Sequence, residues 1–410
     1  MSDPVLIIGA GVAGLSAAAA LRARSADAIL VEASSRVGGR TLTTRIGGHA
    51  FDHGAQWLHH AERNPLVKLA DPADLLDSGP RKRRIMIGDR QATEAELAER
   101  NAALALFDRT MKAVRQDAPI ARVLDAVRDN PWIPAIEAQE AAHIAAADPA
   151  DFSVLDYIAT ALDGSNRALH GGLGAFVAKT LAPQAGPVFL DTPVHAIDWR
   201  DGIRAETARG TIRASACIVA CSTAAIGRIR FTPELPVSPE GLPMGLLTKI
   251  VFRARGDERF GLAPEELVTP RIRDGEPYLN LLAWPGGSDL AQAFVGGPQA
   301  WELSRDGDAA AFSFARERLR QWFGGDADKW LEDVLVTDWG RNPWHLGAYA
   351  YARAGHASDR EALGAPFADG RMVIAGEATA LDGLAGTVGG AWIEGQRAAK
   401  AVIDAFGFAG

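Results

Sequence analysis

Residues 5–32 constrain this chain more than any other stretch. Val5–Ile8 is a run of four apolar residues, the length of a short buried strand. Gly9, Gly11 and Gly14 follow with the spacing G-x-G-x-x-G, and residues 15–24, rich in alanine, read as a helix. A second apolar run, 28–31, ends on Glu32. Strand, glycine turn, helix and strand make a βαβ unit. Gly9 permits the tight turn, Gly11 lets a pyrophosphate approach the backbone, and Gly14 lets the helix pack closely on the sheet. The free N–H groups and positive dipole end of that helix favour phosphate. Glu32 can accept hydrogen bonds from a ribose diol and repels a 2′-phosphate, which favours FAD or NAD over NADP.

Length and composition bound the rest. A chain of 410 residues accommodates two domains, and 48% apolar residues with 43 glycines fit a globular α/β protein. A net charge of −8 argues against general nucleic-acid binding, which needs a basic surface. The one conspicuous basic run, Arg81-Lys82-Arg83-Arg84, reads as a solvated loop or edge. Cys217 and Cys221 lie four strand positions apart, ~13 Å, too far for a disulfide. Both read as buried small residues of a reduced, cytoplasmic protein. His53, His59 and His60 lack the carboxylate or cysteine spacing of a metal site, so no metal is expected. Met1 to Pro4 lead straight into the first strand, which leaves no room for a signal peptide. No stretch of about 18 uncharged apolar residues is present, so no membrane span is expected, at the C-terminal Gly410 or elsewhere.

Residues 91–165 read as several helices, broken at Asn130-Pro131 and Asp148-Pro149, that act as scaffold and lid. Short strands follow at 188–190 and 192–197, with a hairpin turn at Asp201-Gly202. The proline-rich stretch 233–243 leads into a strand, 246–252, that carries Lys249 among apolar residues. Burying an ammonium is costly unless it is partnered, so Lys249 either has partners inside or faces outward. Strands near 277–284 and 291–297 and a helix over 307–323 complete this part, with Trp284, Trp301 and Trp322 in the core.

Four further segments carry a resemblance. Glu32 to Arg40 reads acid, Ala, two variable residues, Arg, one residue, Gly-Gly-Arg. Gly54-Ala55-Gln56-Trp57-Leu58-His59 reads Gly-Ala-x-Trp-x-His. Trp339, a spacer with Trp344, and Gly347-Ala348-Tyr349 follow, and then Gly376-Glu377 with Gly386-Thr387-Val388-Gly389-Gly390 before a helix to about Phe406. Together these resemble the flavin-containing amine oxidase superfamily, of the monoamine and polyamine oxidase kind.

That resemblance implies a discontinuous Rossmann-like FAD domain over 1–78, 166–232 and 355–410. It implies a mixed-sheet and helical substrate domain over 79–165 and 233–354. It places Arg36, Gly39 and Arg40 near the pyrophosphate, and Val194 against the adenine through its backbone. Gly54, Ala55, Gln56, Trp57 and Trp339 pass or pack on the flavin. Gly376 and Glu377 meet the ribityl chain, and the N–H groups of Thr387 and Val388 meet the flavin N1/O2 edge. Lys249 acts through a water near flavin N5, Tyr349 forms one wall of an aromatic slot, and His59 lines the substrate route. Ala348 stands where some relatives carry the cysteine that bonds to FAD, so FAD is expected to be non-covalent. Thr387 replaces the second aromatic wall; Trp57 or Trp392 could supply another. The activity implied is oxidation of a small amine by hydride transfer to FAD, with O2 as acceptor and H2O2 as product. Rivals are a same-fold desaturase or dehydrogenase of a carotenoid or porphyrinogen skeleton, and a flavin-binding sensor without turnover.

Overall fold

The computed structural model describes residues 3–77, 81–162 and 164–407. The domain boundary expected at residues 78 and 79, and the ends Met1, Ser2 and Gly410, lie outside the described residues.

The glycine-turn unit sits at the centre of a five-stranded parallel sheet. Val5–Ile8 pairs with Ala28–Val31 on one side and Ala216–Val219 on the other. Met372–Ile374 and Val188–Phe189 flank these as the edges. Val5–Ile8 and Ala216–Val219 are apolar throughout and fully buried, as strands covered on both faces require, while Ala28–Val31 is buried only in its second half. Helix Val12–Arg22 packs between this sheet and the last helix, Val388–Phe406. It begins three residues earlier than the alanine-rich stretch indicates. The turn at Gly11 already supplies the first helical acceptor, taken by the Leu15 N–H at 2.9 Å. It ends at Arg22, where the chain turns through Ser25 at φ +55°. Cys217 is buried in its strand, whereas Cys221 lies beyond the strand's end and is only half-buried.

Strands Val194–Asp198, Ile203–Thr207, Gly210–Ala214 and Arg230–Thr232 form a four-stranded sheet beside the first. A seven-stranded sheet is built from 83–91 and 247–336. Helices Gly297–Asp306 and Asp308–Phe323 cover one of its faces, with Trp284 and Trp322 inside. On the other face Ile85 packs into the helical segment around Phe107, Trp132 and Phe152. Among the described residues no helix is long and apolar enough to cross a membrane.

Of the loop and edge readings of the basic run the structure shows the edge, with Lys82 and Arg83 exposed. Arg83–Ile87 is a strand, and its alternation divides the charges. Arg84 turns to the fully buried Glu266 at 2.8 Å, with Lys82 at 3.5 Å from the same carboxylate. Arg81 and Arg83 face the other way, into a cleft.

Candidate active-site cleft

A cleft of about 860 Å³ is lined by residues of both large sheets and of the helical segment. Gly9, Gly11, Glu32, Gly39, Arg40 and Val194 line its dinucleotide part. Gly9 adopts φ +101°, and a Cβ on Gly14 would stand 1.9 Å from the Gly9 carbonyl oxygen, so the turn and helix can approach only without side chains. Glu32 is buried; its Oε2 accepts the Ala10 N–H at 2.7 Å and its Oε1 the Ser34 N–H at 2.8 Å. Val194 precedes a register shift between its strand and the next, a bulge that turns the chain beside the cleft. Gly14 and Arg36 do not line the cleft. Arg36 instead donates to the carbonyls of Val37, Gly39 and Thr41, and so holds the Gly-Gly turn in shape.

In the middle stretch, Arg40 donates to Glu377 at 2.7 Å and to the Ala348 carbonyl at 2.9 Å. Glu377 also accepts the Ala350 N–H at 3.2 Å. A Cβ on Gly54 would meet the Arg40 carbonyl oxygen at 2.0 Å and the Trp339 ring at 3.0 Å. The Trp339 indole N–H donates to the His53 carbonyl at 2.9 Å, which braces this crossing.

Lys249 faces inward and is 4% exposed. Its Nζ donates to the carbonyls of Asp52 (2.6 Å) and Gly54 (2.9 Å) and to Gln56 Oε1 (2.9 Å). Three acceptors use all three hydrogens of an ammonium, so a bridging water could attach only by displacing one of them. The rings of Phe51 and Phe294 lie 5.6 and 5.8 Å from the charge. Burial lowers the Lys249 pKa to about 8, against the upward pull of Asp52.

Tyr349 lines the cleft beside Gly386, and its hydroxyl donates to the Ile144 carbonyl at 2.8 Å. Burial pushes its pKa up, so it stays a neutral phenol. Thr387 is the N-cap of the last helix. Its Oγ1 accepts the Gly390 N–H at 2.9 Å and donates to the Leu384 carbonyl at 2.7 Å, while its N–H donates to that same carbonyl at 3.2 Å. The hydroxyl and N–H of Thr387 are thus engaged locally, and Val388 begins the helix. His59 Nδ1 lies 2.7 Å from Asn166 Oδ1. Burial holds that imidazole below its ordinary pKa. Trp57 and Ala55 line the cleft, whereas Trp392 belongs to the core under the first helix.

Several lining residues were not singled out from sequence. Phe294 is the direct cross-strand neighbour of Lys249; an alternation count from the lysine would have flagged it. Glu140 and His143 come from a π-helical turn, Ala138–Ile144, in the segment read as scaffold. Arg360 and Asp156 form a buried pair at 2.6 Å, from segments 204 residues apart.

These residues fit FAD. Helix Val12–Arg22 has no side-chain cap at Gly11, so its first N–H groups are left for a ligand, and Gly11, Val12 and Ala13 line the cleft.

Residues 142–403 match the family described as flavin containing amine oxidoreductase, and residues 7–71 match NAD(P)-binding Rossmann-like domains. The putrescine oxidase of Kocuria rosea is 28% identical over 415 residues, covering 84% of each chain. Lysine-specific histone demethylase 1 homolog 1 of Oryza sativa subsp. japonica is 28% identical over 455 residues, covering 98% of this chain. The match spans only 52% of that relative's length. A solved structure of wild-type putrescine oxidase bound to putrescine has a TM-score of 0.76 at 24% identity, covering 98% of this chain and 99% of that one. This last likeness is one of fold. The family match spans well over half of the sequence, and the chain belongs to the flavin containing amine oxidoreductases.

Proposed function

We propose that this chain binds FAD non-covalently and oxidises an amine to an imine, which water converts to a carbonyl compound and ammonia or a shorter amine. The observation that carries the reading is one cleft that joins an uncapped helix start and Glu32 to a buried lysine and a tyrosine. Bound FAD would supply the two-electron acceptor for a hydride from the carbon next to the amine nitrogen, with O2 as final acceptor and H2O2 as product. The amino-acid residues bind and orient. The turn at Gly9, Gly11 and Gly39 receives the pyrophosphate, and Glu32 the ribose. Arg40 and Glu377 hold the linking chain. Lys249 keeps a fixed positive charge in a dry site, where such charges act most strongly. The Tyr349 ring offers a face that attracts an amine's partial positive charge. Segments 1–78, 166–232 and 355–410 carry the cofactor, and 79–165 and 233–354 cover the substrate.

Two features support non-covalent attachment. Ala348 has no thiol, and its carbonyl is bound to Arg40. Cys221, which lines the cleft, is pushed up to about 12 by burial and stays a thiol. Relatives named for putrescine and polyamine oxidation support an amine substrate. A carbon-skeleton desaturase would be served by an apolar cavity, whereas Arg83, Glu140 and His143 line this one.

The test is anaerobic bleaching of the visible flavin absorbance by diamines, polyamines, aryl-alkylamines, cyclic amines and amino acids. Bleaching by one class, and peroxide on readmitting air, is the expected result; no bleaching by any class overturns the reading. Gly14→Ala is expected to yield protein without flavin absorbance, because its methyl group would strike the Gly9 carbonyl. Retention of a full complement of flavin in that variant would refute the assignment of this turn.

A further inference from the structure

The part of the cleft remote from the glycine turn is lined by Arg83, Glu140, His143 and Asn280. Arg83 donates to Gln139 Oε1 at 3.0 Å, and Arg100 donates to the same oxygen at 3.3 Å. Among the described residues neither guanidinium has a carboxylate within 4.0 Å. Arg40 and Arg360, which also line the cleft, are paired with Glu377 and Asp156. Two like charges therefore converge on one neutral amide oxygen. Their repulsion, after burial, helps lower the Arg100 pKa.

Glu140 is engaged by the Gln139 amide at 3.0 Å and the Tyr157 hydroxyl at 3.3 Å; burial raises its pKa, while the charges of Arg83 and Arg100 pull it down. Asn280 is 1% exposed and its Oδ1 accepts no hydrogen bond, which calls for a donor such as the substrate's amine rather than a carboxylate; His143 Nδ1 is likewise unpartnered. Buried polar groups without partners are costly unless something else completes them.

The sheet register sets the scale. Lys249 pairs with Phe294, and Phe294 with Asn280, in one cross-strand row. The strand of Arg83 lies four strand spacings from that of Lys249, or ~19 Å at about 4.8 Å each. An arginine side chain leaning inward shortens this without closing it.

We propose that the amine oxidised by this chain is extended and carries a carboxylate at its far end, and that Arg83 is the residue that selects it. This rests on the amine reading above and narrows it. A carboxylate beside Arg83 gains a charge-assisted hydrogen bond from a guanidinium that lines the cleft and, among the described residues, has no carboxylate within ion-pair distance. A diamine of the same length brings a further positive charge to that guanidinium.

The experiment compares straight-chain ω-aminoalkanoates with the α,ω-diamines of equal length, from butane to dodecane chains. Anaerobic flavin reduction is followed against concentration in the flavin-loaded enzyme. The wild type is expected to half-saturate with a long aminoalkanoate at roughly tenfold lower concentration, or less, than with the matching diamine. In Arg83→Gln that preference ratio is expected to collapse by roughly tenfold or more, with Arg83→Lys restoring part of it. The limiting reduction rate for the aminoalkanoate should change far less than its half-saturation. Preference for diamines in the wild type, or an equal shift for both classes in Arg83→Gln, overturns the inference and leaves the amine reading standing. Bleaching by no amine at all overturns both.

Discussion

Replacing Arg360 with alanine is expected to lower the unfolding free energy of the protein by about 3–5 kcal/mol, the scale for breaking a buried ion pair by removing one partner. The Arg360 and Asp156 side chains are 4% and 1% exposed. Arg360 donates to both Asp156 oxygens, at 2.6 and 2.8 Å, and to the carbonyls of Ala378 (2.9 Å) and Ala350 (3.1 Å). Asp156 Oδ2 also accepts the Ala352 N–H at 2.8 Å. One guanidinium thus joins the helical segment, the strand that carries Tyr349 and the loop after Glu377. Alanine leaves the buried carboxylate without its counter-charge, held only by the Ala352 N–H, and removes the donor to two carbonyls. Denaturant unfolding of the flavin-loaded protein measures the loss, and Arg360→Lys should cost less. The double variant Arg360→Met with Asp156→Leu should recover much of it, because no charge is then left buried. A loss below about 1 kcal/mol for Arg360→Ala would show the pair to be an ordinary surface-like contact.

Lys249→Met is expected to slow one flavin half-reaction by about a hundredfold, the scale for removing a pre-organised charge from a dry site. Methionine keeps the packing against Phe51 and Phe294 and removes only the charge and its donors. Stopped-flow mixing separates anaerobic reduction from reoxidation by O2; unchanged rates in both would remove any role for Lys249. The pH dependence follows from its lowered pKa of about 8. Below that pH the ammonium is intact; above it the charge is lost, so the affected rate should fall as pH rises through about 8 and show no such break in the methionine variant. The stability linkage has the opposite sense. The buried lysine releases its proton near pH 8, while the unfolded chain keeps it to the ordinary value of 10.5. The unfolded state then binds more protons, so this group's contribution to stability rises with pH across that window.

Local pattern made the dinucleotide half legible. A four-residue apolar strand, glycines at fixed spacing and an acid at the end of the next strand act through backbone geometry a few residues apart. The inward aim of Lys249 is favoured by the resemblance, since strand alternation alone does not say which face is buried. The basic run reads as a solvated loop or edge, and Lys82 and Arg83 are exposed; the linear pattern does not show that Arg84 reaches the buried Glu266 or that Arg83 lines the cleft. The segment 91–165 carried no motif, and its contribution of Glu140, His143 and Asp156 to the cleft comes from packing against distant strands.

The amino-acid sequence alone determined the α/β class, the dinucleotide turn and the family, because each rests on contiguous residues whose steric and hydrogen-bonding demands are local. Tertiary structure alone decided what surrounds the reacting end. It supplied three acceptors to Lys249, engaged the Thr387 hydroxyl in a helix cap and its N–H in the preceding turn, and withdrew Trp392 into the core. Those outcomes depend on which faces of remote elements meet. The free energy of burying a charge or satisfying a polar group is settled only when the partners arrive from elsewhere in the chain.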